Sequence, residues 1–157
     1  MNYIFVDKII ELEKGKRIRT VKNISLTEDY LDRFYPRLTA VPNSIFIEAM
    51  ASTAALLLFE TTLYKSFAVL AMIENAVLKP LTQGGDRLMV DAELLALHEK
   101  AARFKTKIRV LDKMTANATL VLGLFELESL RDPQMIDHFK LLLSTTKKIL
   151  GSSEKRA

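Results

Sequence analysis

The chain has 157 residues, 49% hydrophobic and 27% charged, with a formal net charge of +4. That is one domain's worth of sequence with a sizeable core, too apolar for intrinsic disorder. The absence of cysteine excludes a disulfide scaffold, a thiolate nucleophile and a Cys-ligated metal site. Imidazole comes only from His98 and His138. The positive excess is too small to indicate nucleic acid by itself. The most apolar stretch, residues 45–59, contains Glu48 and is too short to cross a bilayer. The start, with Asp7, Glu11 and Glu13 among its apolar residues, does not resemble a signal peptide. A cytoplasmic protein without membrane or nucleic-acid contact is the expectation.

Residues 4–12 are largely apolar and β-favouring, Lys14-Gly15 interrupts them, and residues 16–24 alternate basic and apolar positions. This pattern predicts a β-hairpin with one wet face. Residues 25–42 carry Asp29, Asp32, Pro36 and Pro42 without a sustained period, which predicts a long surface excursion. Pro42 then opens a run of helix formers, residues 45–63, whose apolar residues wrap almost all the way round. A proline at the first helical position and apolarity on every side predict a buried central helix. Four strand-like segments follow, residues 66–78, 87–97, 103–111 and 116–128, with turns at Gln83-Gly84-Gly85-Asp86 and Asp112-Lys113. A hairpin, one buried helix and a set of long strands predict an α+β domain over residues 1–128, an antiparallel sheet wrapped around the helix. Residues 129–157 are expected to add a C-terminal helix packed on the same domain. It starts at Asp132-Pro133, with Ile136, Phe139, Leu143 and Leu150 on one face and a frayed tail.

Glu48 does not match its surroundings. Ser44, Glu48 and Ser52 fall at i, i+4 and i+8, a narrow polar stripe on an otherwise apolar helix. An ionised carboxylate among apolar residues is paired, protonated or turned to a solvated cavity, because burying it alone costs several kcal/mol or more. A catalytic acid or base is one reading. The other is a structural group at a helix edge, bonded to Ser44, Ser52 or a neighbouring subunit's arginine.

The order of these segments and the residues around Glu48 resemble the hotdog-fold 3-hydroxyacyl-acyl-carrier-protein dehydratases, the FabZ and FabA type, from about Phe5 to Glu128. The opening run from Phe5 to Ile18, with its Val6-Asp7 and Gly15-Lys16-Arg17, is similar to the family's first hairpin, and Lys22-Asn23-Ile24-Ser25 follows it. Ala40-Val41-Pro42 and Ile45-Phe46-Ile47-Glu48-Ala49-Met50-Ala51 are similar to the family's catalytic helix and its approach. Residues 73–80 and Gly85-Asp86-Arg87-Leu88 match its third strand and Pro-Gly-Asp turn.

The resemblance implies a two-subunit site in which a histidine before the helix takes the C2 proton and a helix carboxyl group helps the C3 hydroxyl leave. Helix-start amides polarise the thioester carbonyl. Glu48 matches the carboxyl group. The family's His-Phe-Pro becomes Phe34-Tyr35-Pro36, so Phe34 stands where the base would be, and neither His98 nor His138 matches that place. Phe34 and Asn43, the latter replacing a glycine at the helix start, become substrate-binding candidates. Arg33 and Arg37 would face an acidic carrier at the tunnel mouth, with Arg17, Arg19 and Lys22 as a further basic face.

The function implied is dehydration of 3-hydroxyacyl chains in fatty acid or related acyl-chain biosynthesis, weakened by the missing histidine. The alternatives are a hotdog thioesterase using Glu48, and a non-catalytic acyl-binding or heterodimer subunit beside an active paralogue. The implied partner is an acyl thioester on acyl carrier protein or coenzyme A. A homodimer is expected, because one sheet leaves an edge to pair. No metal or organic cofactor is implied.

Overall fold

The computed structural model describes residues 5–27, 41–79 and 82–129, together with Asp137, Leu141 and Ser144. The expected hairpin is β1 (Lys8–Glu13) and β2 (Arg17–Asn23), joined at Gly15, whose φ of 72° suits a residue without Cβ. The central helix α1 (Asn43–Thr61) follows, and then β3 (Ser66–Leu78), β4 (Arg87–Leu97), β5 (Ala101–Val110) and β6 (Lys113–Glu126). A short 3-10 turn, Leu127–Ser129, ends the continuous description. The excursion over residues 28–40 and the packing of the C-terminal extension lie outside the described residues. Asp137, Leu141 and Ser144 are helical and exposed.

The six strands form one antiparallel sheet in the order β1-β2-β4-β5-β6-β3. Alternate residues face α1, because side chains along a strand point to opposite sides. Ile18, Leu88, Val90, Phe104, Ile108, Leu120 and Leu122 are buried on that face against Phe46, Met50, Leu57 and Leu58 of α1. The opposite face carries ion pairs: Arg19 and Arg109 hold the two oxygens of Asp91 at 2.6 and 2.7 Å, and Arg103 reaches Glu74 at 2.7 Å. Two threonines of the sheet, Thr20 and Thr106, meet the helix through their hydroxyls. Thr20 and Thr53 share a hydrogen bond of 2.7 Å, and the Thr106 hydroxyl donates to the Ala118 carbonyl at 2.8 Å beside the Met50 sulfur.

The sequence placed Pro42 inside the helix and ran the helix to residue 63, and both ends differ. Pro42 has ψ 142°, so it precedes the helix as an N-cap without a side-chain hydrogen bond. At the other end Leu63 and Tyr64 take φ of 55° and 61°, the Tyr64 amide returns to the Phe59 carbonyl at 2.8 Å, and the Tyr64 hydroxyl bonds Glu60. This turn stops the helix in a left-handed conformation that glycine adopts freely and leucine only at a cost of about 1–2 kcal/mol. Leu63 is exposed, so Leu63→Gly is expected to raise stability by about 1 kcal/mol, read as a higher midpoint in urea.

The start of α1 is held by the β3–β4 turn. The Val41 amide donates to the Thr82 carbonyl at 2.9 Å, the Gly85 amide to the Ile24 carbonyl at 2.7 Å, and the Ile24 amide to the Asp86 carbonyl at 2.9 Å. Gly85 sits at φ 96°, where a Cβ would meet open space but the backbone is strained. Gly85→Ala is therefore expected to destabilise by about 1–2 kcal/mol. Thermal denaturation measures it, and an unchanged midpoint would show that the turn relaxes freely.

Candidate functional site

Glu48 lies in the second turn of α1. Between its two ends α1 leaves Ser44, Ile47, Glu48, Ser52 and Ala55 exposed or half-buried, while Phe46, Ala49, Met50 and Ala54 are fully buried. The stripe expected from the 3.6-residue period is thus the open face of the helix, and Glu48 is exposed in the single chain. No described residue makes a hydrogen bond or ion pair with its carboxylate, so the structural alternative of a bond to Ser44 or Ser52 is not what holds it. Asn43, the first residue of α1, is exposed at the same end. Phe34, Arg33 and Arg37 lie outside the described residues, as does His138.

His98 is described, and it stands at the wrong end. The Gly15 amide donates to the Thr61 hydroxyl at 3.2 Å and the Leu94 amide to the Lys16 carbonyl at 2.8 Å, so the far part of β4 lies beside the C-terminal end of α1. His98 follows that strand, in the β4–β5 turn, where its amide bonds the Ala101 carbonyl. From Glu48 to Thr61 the helix alone covers about 20 Å at its rise of 1.5 Å per residue. His98 therefore cannot act on a group held by Glu48 of its own chain.

The basic hairpin face expected beside the site is corrected by the ion pairs. Arg17 and Lys16 both hold Glu13, at 3.2 and 2.5 Å, and Arg19 holds Asp91 and Glu11. The Lys16 hydrogen bond and charge keep the Glu13 carboxyl below the usual glutamate range. Lys22 is buried on the helix side of β2, with its Nζ 3.5 Å from Asp7. Alternation along β2 explains the error. Arg17 and Arg19 point to the outer face, and Lys22, three positions after Arg19, falls with Ile18 and Thr20 on the inner one.

Among the described residues one sheet edge is protected and the other is open. β1 is short, charged and bulged between Ile9 and Glu11. β3 runs thirteen residues with Glu74 as its single charge, and Val69, Met72, Ile73 and Val77 on it are all exposed. A long apolar strand with an unpaired edge is a surface for pairing with another chain.

No protein-family model matches the chain. Among curated proteins it is 34% identical over 122 residues to the 3-hydroxyacyl-[acyl-carrier-protein] dehydratase FabZ of Polaromonas naphthalenivorans, an alignment covering 75% of this chain and 84% of that protein. Among solved structures it resembles the dehydratase heterocomplex ApeI:P from Xenorhabdus doucetiae, with a TM-score of 0.64 and 16% identity over 76% of this chain and 82% of that one. It also resembles smu.793 from Streptococcus mutans bound to acetyl CoA, with a TM-score of 0.62 and 15% identity over 80% of this chain and 94% of that one. The fold is the hotdog fold, and the chain belongs to the FabZ family of 3-hydroxyacyl-[acyl-carrier-protein] dehydratases.

Proposed function

We propose that the chain supplies the carboxyl half of a two-subunit dehydratase site acting on 3-hydroxyacyl thioesters in cytoplasmic fatty acid or related acyl-chain synthesis. The observation that carries this reading is Glu48, exposed on the open stripe of an otherwise buried helix in a FabZ-family chain. Elimination of water needs one group to take the C2 proton and another to give a proton to the departing C3 hydroxyl. Glu48 fits the second role. Asn43 and the uncapped amides of the first helical turn are where the thioester carbonyl would be polarised.

The base comes from elsewhere in this reading, since the resemblance puts Phe34 at the position of the family's histidine. A second chain pairing along β3 brings another set of residues to the open face of α1, as either a second copy or a paralogue. The paralogue is favoured, because it can carry the imidazole that this chain lacks at that position. The comparison with a dehydratase that is a heterocomplex supports this assembly. The substrate is carried by acyl carrier protein, as in the names of the curated relatives.

The test is turnover of a panel of 3-hydroxyacyl and enoyl thioesters by the purified protein, alone and with a His-bearing paralogue, with thiol release followed in the same tube. Hydration or dehydration only in the mixture supports the composite site. Turnover by the protein alone, lost in His138→Ala, would replace it with a homodimer that brings its own base. Thiol release without hydration would instead identify a thioesterase in which Glu48 activates water.

A further inference from the structure

The tip of the β5–β6 hairpin breaks two rules at once. Its two-residue loop, Leu111-Asp112, has φ of 48° and 62°, the geometry that favours Asn-Gly. A leucine there is sterically disfavoured, and this one is 87% exposed. Met114 beside it is 47% exposed. Burial explains neither residue, and strained, exposed apolar groups concentrate at functional surfaces.

The tip lies at the Glu48 end of the molecule. Thr106 of β5 touches Met50, two residues beyond Glu48, and the strand runs four more residues to Val110, about 13 Å. Lys79, at the end of β3, is joined to the same corner by its amide, which donates to the Thr115 carbonyl at 2.9 Å. Lys79 and Lys113 are exposed and make no ion pair with any described residue, whereas Arg109 is held by Asp91. The first turn of α1, at this end, contains no acidic residue. Among the described residues Asp112 is the one carboxylate at the tip.

We propose that Leu111 and Met114, flanked by Lys79 and Lys113, form the docking surface for the acidic carrier protein that presents the acyl thioester to Glu48. The apolar pair would seat against an apolar stripe of a carrier helix, the lysines against its carboxylates, and the thioester arm would span the distance to Glu48. This inference rests on the carrier-linked reading above and places the carrier contact at the Glu48 end of the sheet rather than on Arg17 and Arg19, which are held by carboxylates. Arg33 and Arg37, the carrier-facing arginines expected from the sequence, lie outside the described residues.

The test is fluorescence anisotropy of a bacterial acyl carrier protein labelled on its phosphopantetheine arm, titrated with the full chain at low salt. The double variant Lys79→Glu, Lys113→Glu is expected to bind about tenfold more weakly, and Leu111→Asn several-fold more weakly although asparagine suits the turn better. Asp112→Asn is expected to bind a few-fold more tightly, a gain that structural damage would not produce. Lys100→Glu, at an exposed lysine in the β4–β5 turn at the far end of the sheet, is expected to bind like the parent. Because binding is read without turnover, failure of the proposed chemistry and failure of the docking surface are read separately. Absence of binding by the parent chain, or equal binding by the parent and the charge-reversed variant, would overturn the proposal.

Discussion

Glu48→Gln is expected to lower turnover of a 3-hydroxyacyl thioester by roughly 10²- to 10⁴-fold, the worth of one positioned acid or base. The substitution keeps the shape of the side chain and removes only its ability to exchange a proton. Glu48 is exposed in the single chain and bonds no described residue, so the melting temperature of that chain should stay within a degree or so of the parent. The effect should fall on kcat more than on KM, because the proton is given in the transition state. The measurement is steady-state turnover in whichever assembly is active, beside a melting curve of the same sample. Equal rates for the two proteins would remove Glu48 from the chemistry and leave it a solvated group on the open helix face.

The largest loss of stability is expected from Phe104→Ala. Phe104 is fully buried on the helix side of β5, pairs across the sheet with Leu94 and Leu120, and belongs to the same core as Phe46 and Met50. Truncation removes the transfer energy of the ring and leaves a cavity under a helix that cannot collapse onto the sheet, at a cost of roughly 3–5 kcal/mol. For a chain of this size that lowers the melting temperature by roughly 6–20 °C. Differential scanning calorimetry reads it directly. A loss below about 1 kcal/mol would mean that the helix closes over the gap and that the core is not packed as tightly as the burial of these residues indicates.

These two expectations were legible to very different degrees. The pattern of alternating apolar positions over residues 87–97 predicted β4 with the observed ends, because a strand half-buried against a helix writes a period of two into its residues. The starts of β5 and β6 were placed two and three residues late. Ala101, Ala102 and Lys113 carry no strong strand preference and join their strands through cross-strand pairing with Gly123, Leu122 and Val110. The helix stop was missed for a related reason. Leu63 and Tyr64 are not turn residues, and their left-handed backbone is imposed by the closing hydrogen bonds rather than by their own preference.

The sequence by itself determined the central helix, the wrapped antiparallel sheet, the singular position of Glu48 and the family, because each is carried by local periodicity or by an ordered set of short motifs. Only the tertiary structure decided where the charges act. Arg17, Arg19 and Arg109 are spoken for by carboxylates that the register of β1, β2, β4 and β5 brings alongside them. Lys22 turns inward, and His98 stands about 20 Å along the helix from Glu48. A side chain's role depends on which strand lies beside it and which end of the helix it reaches. Both follow from pairings between residues far apart in the chain, which no local pattern encodes.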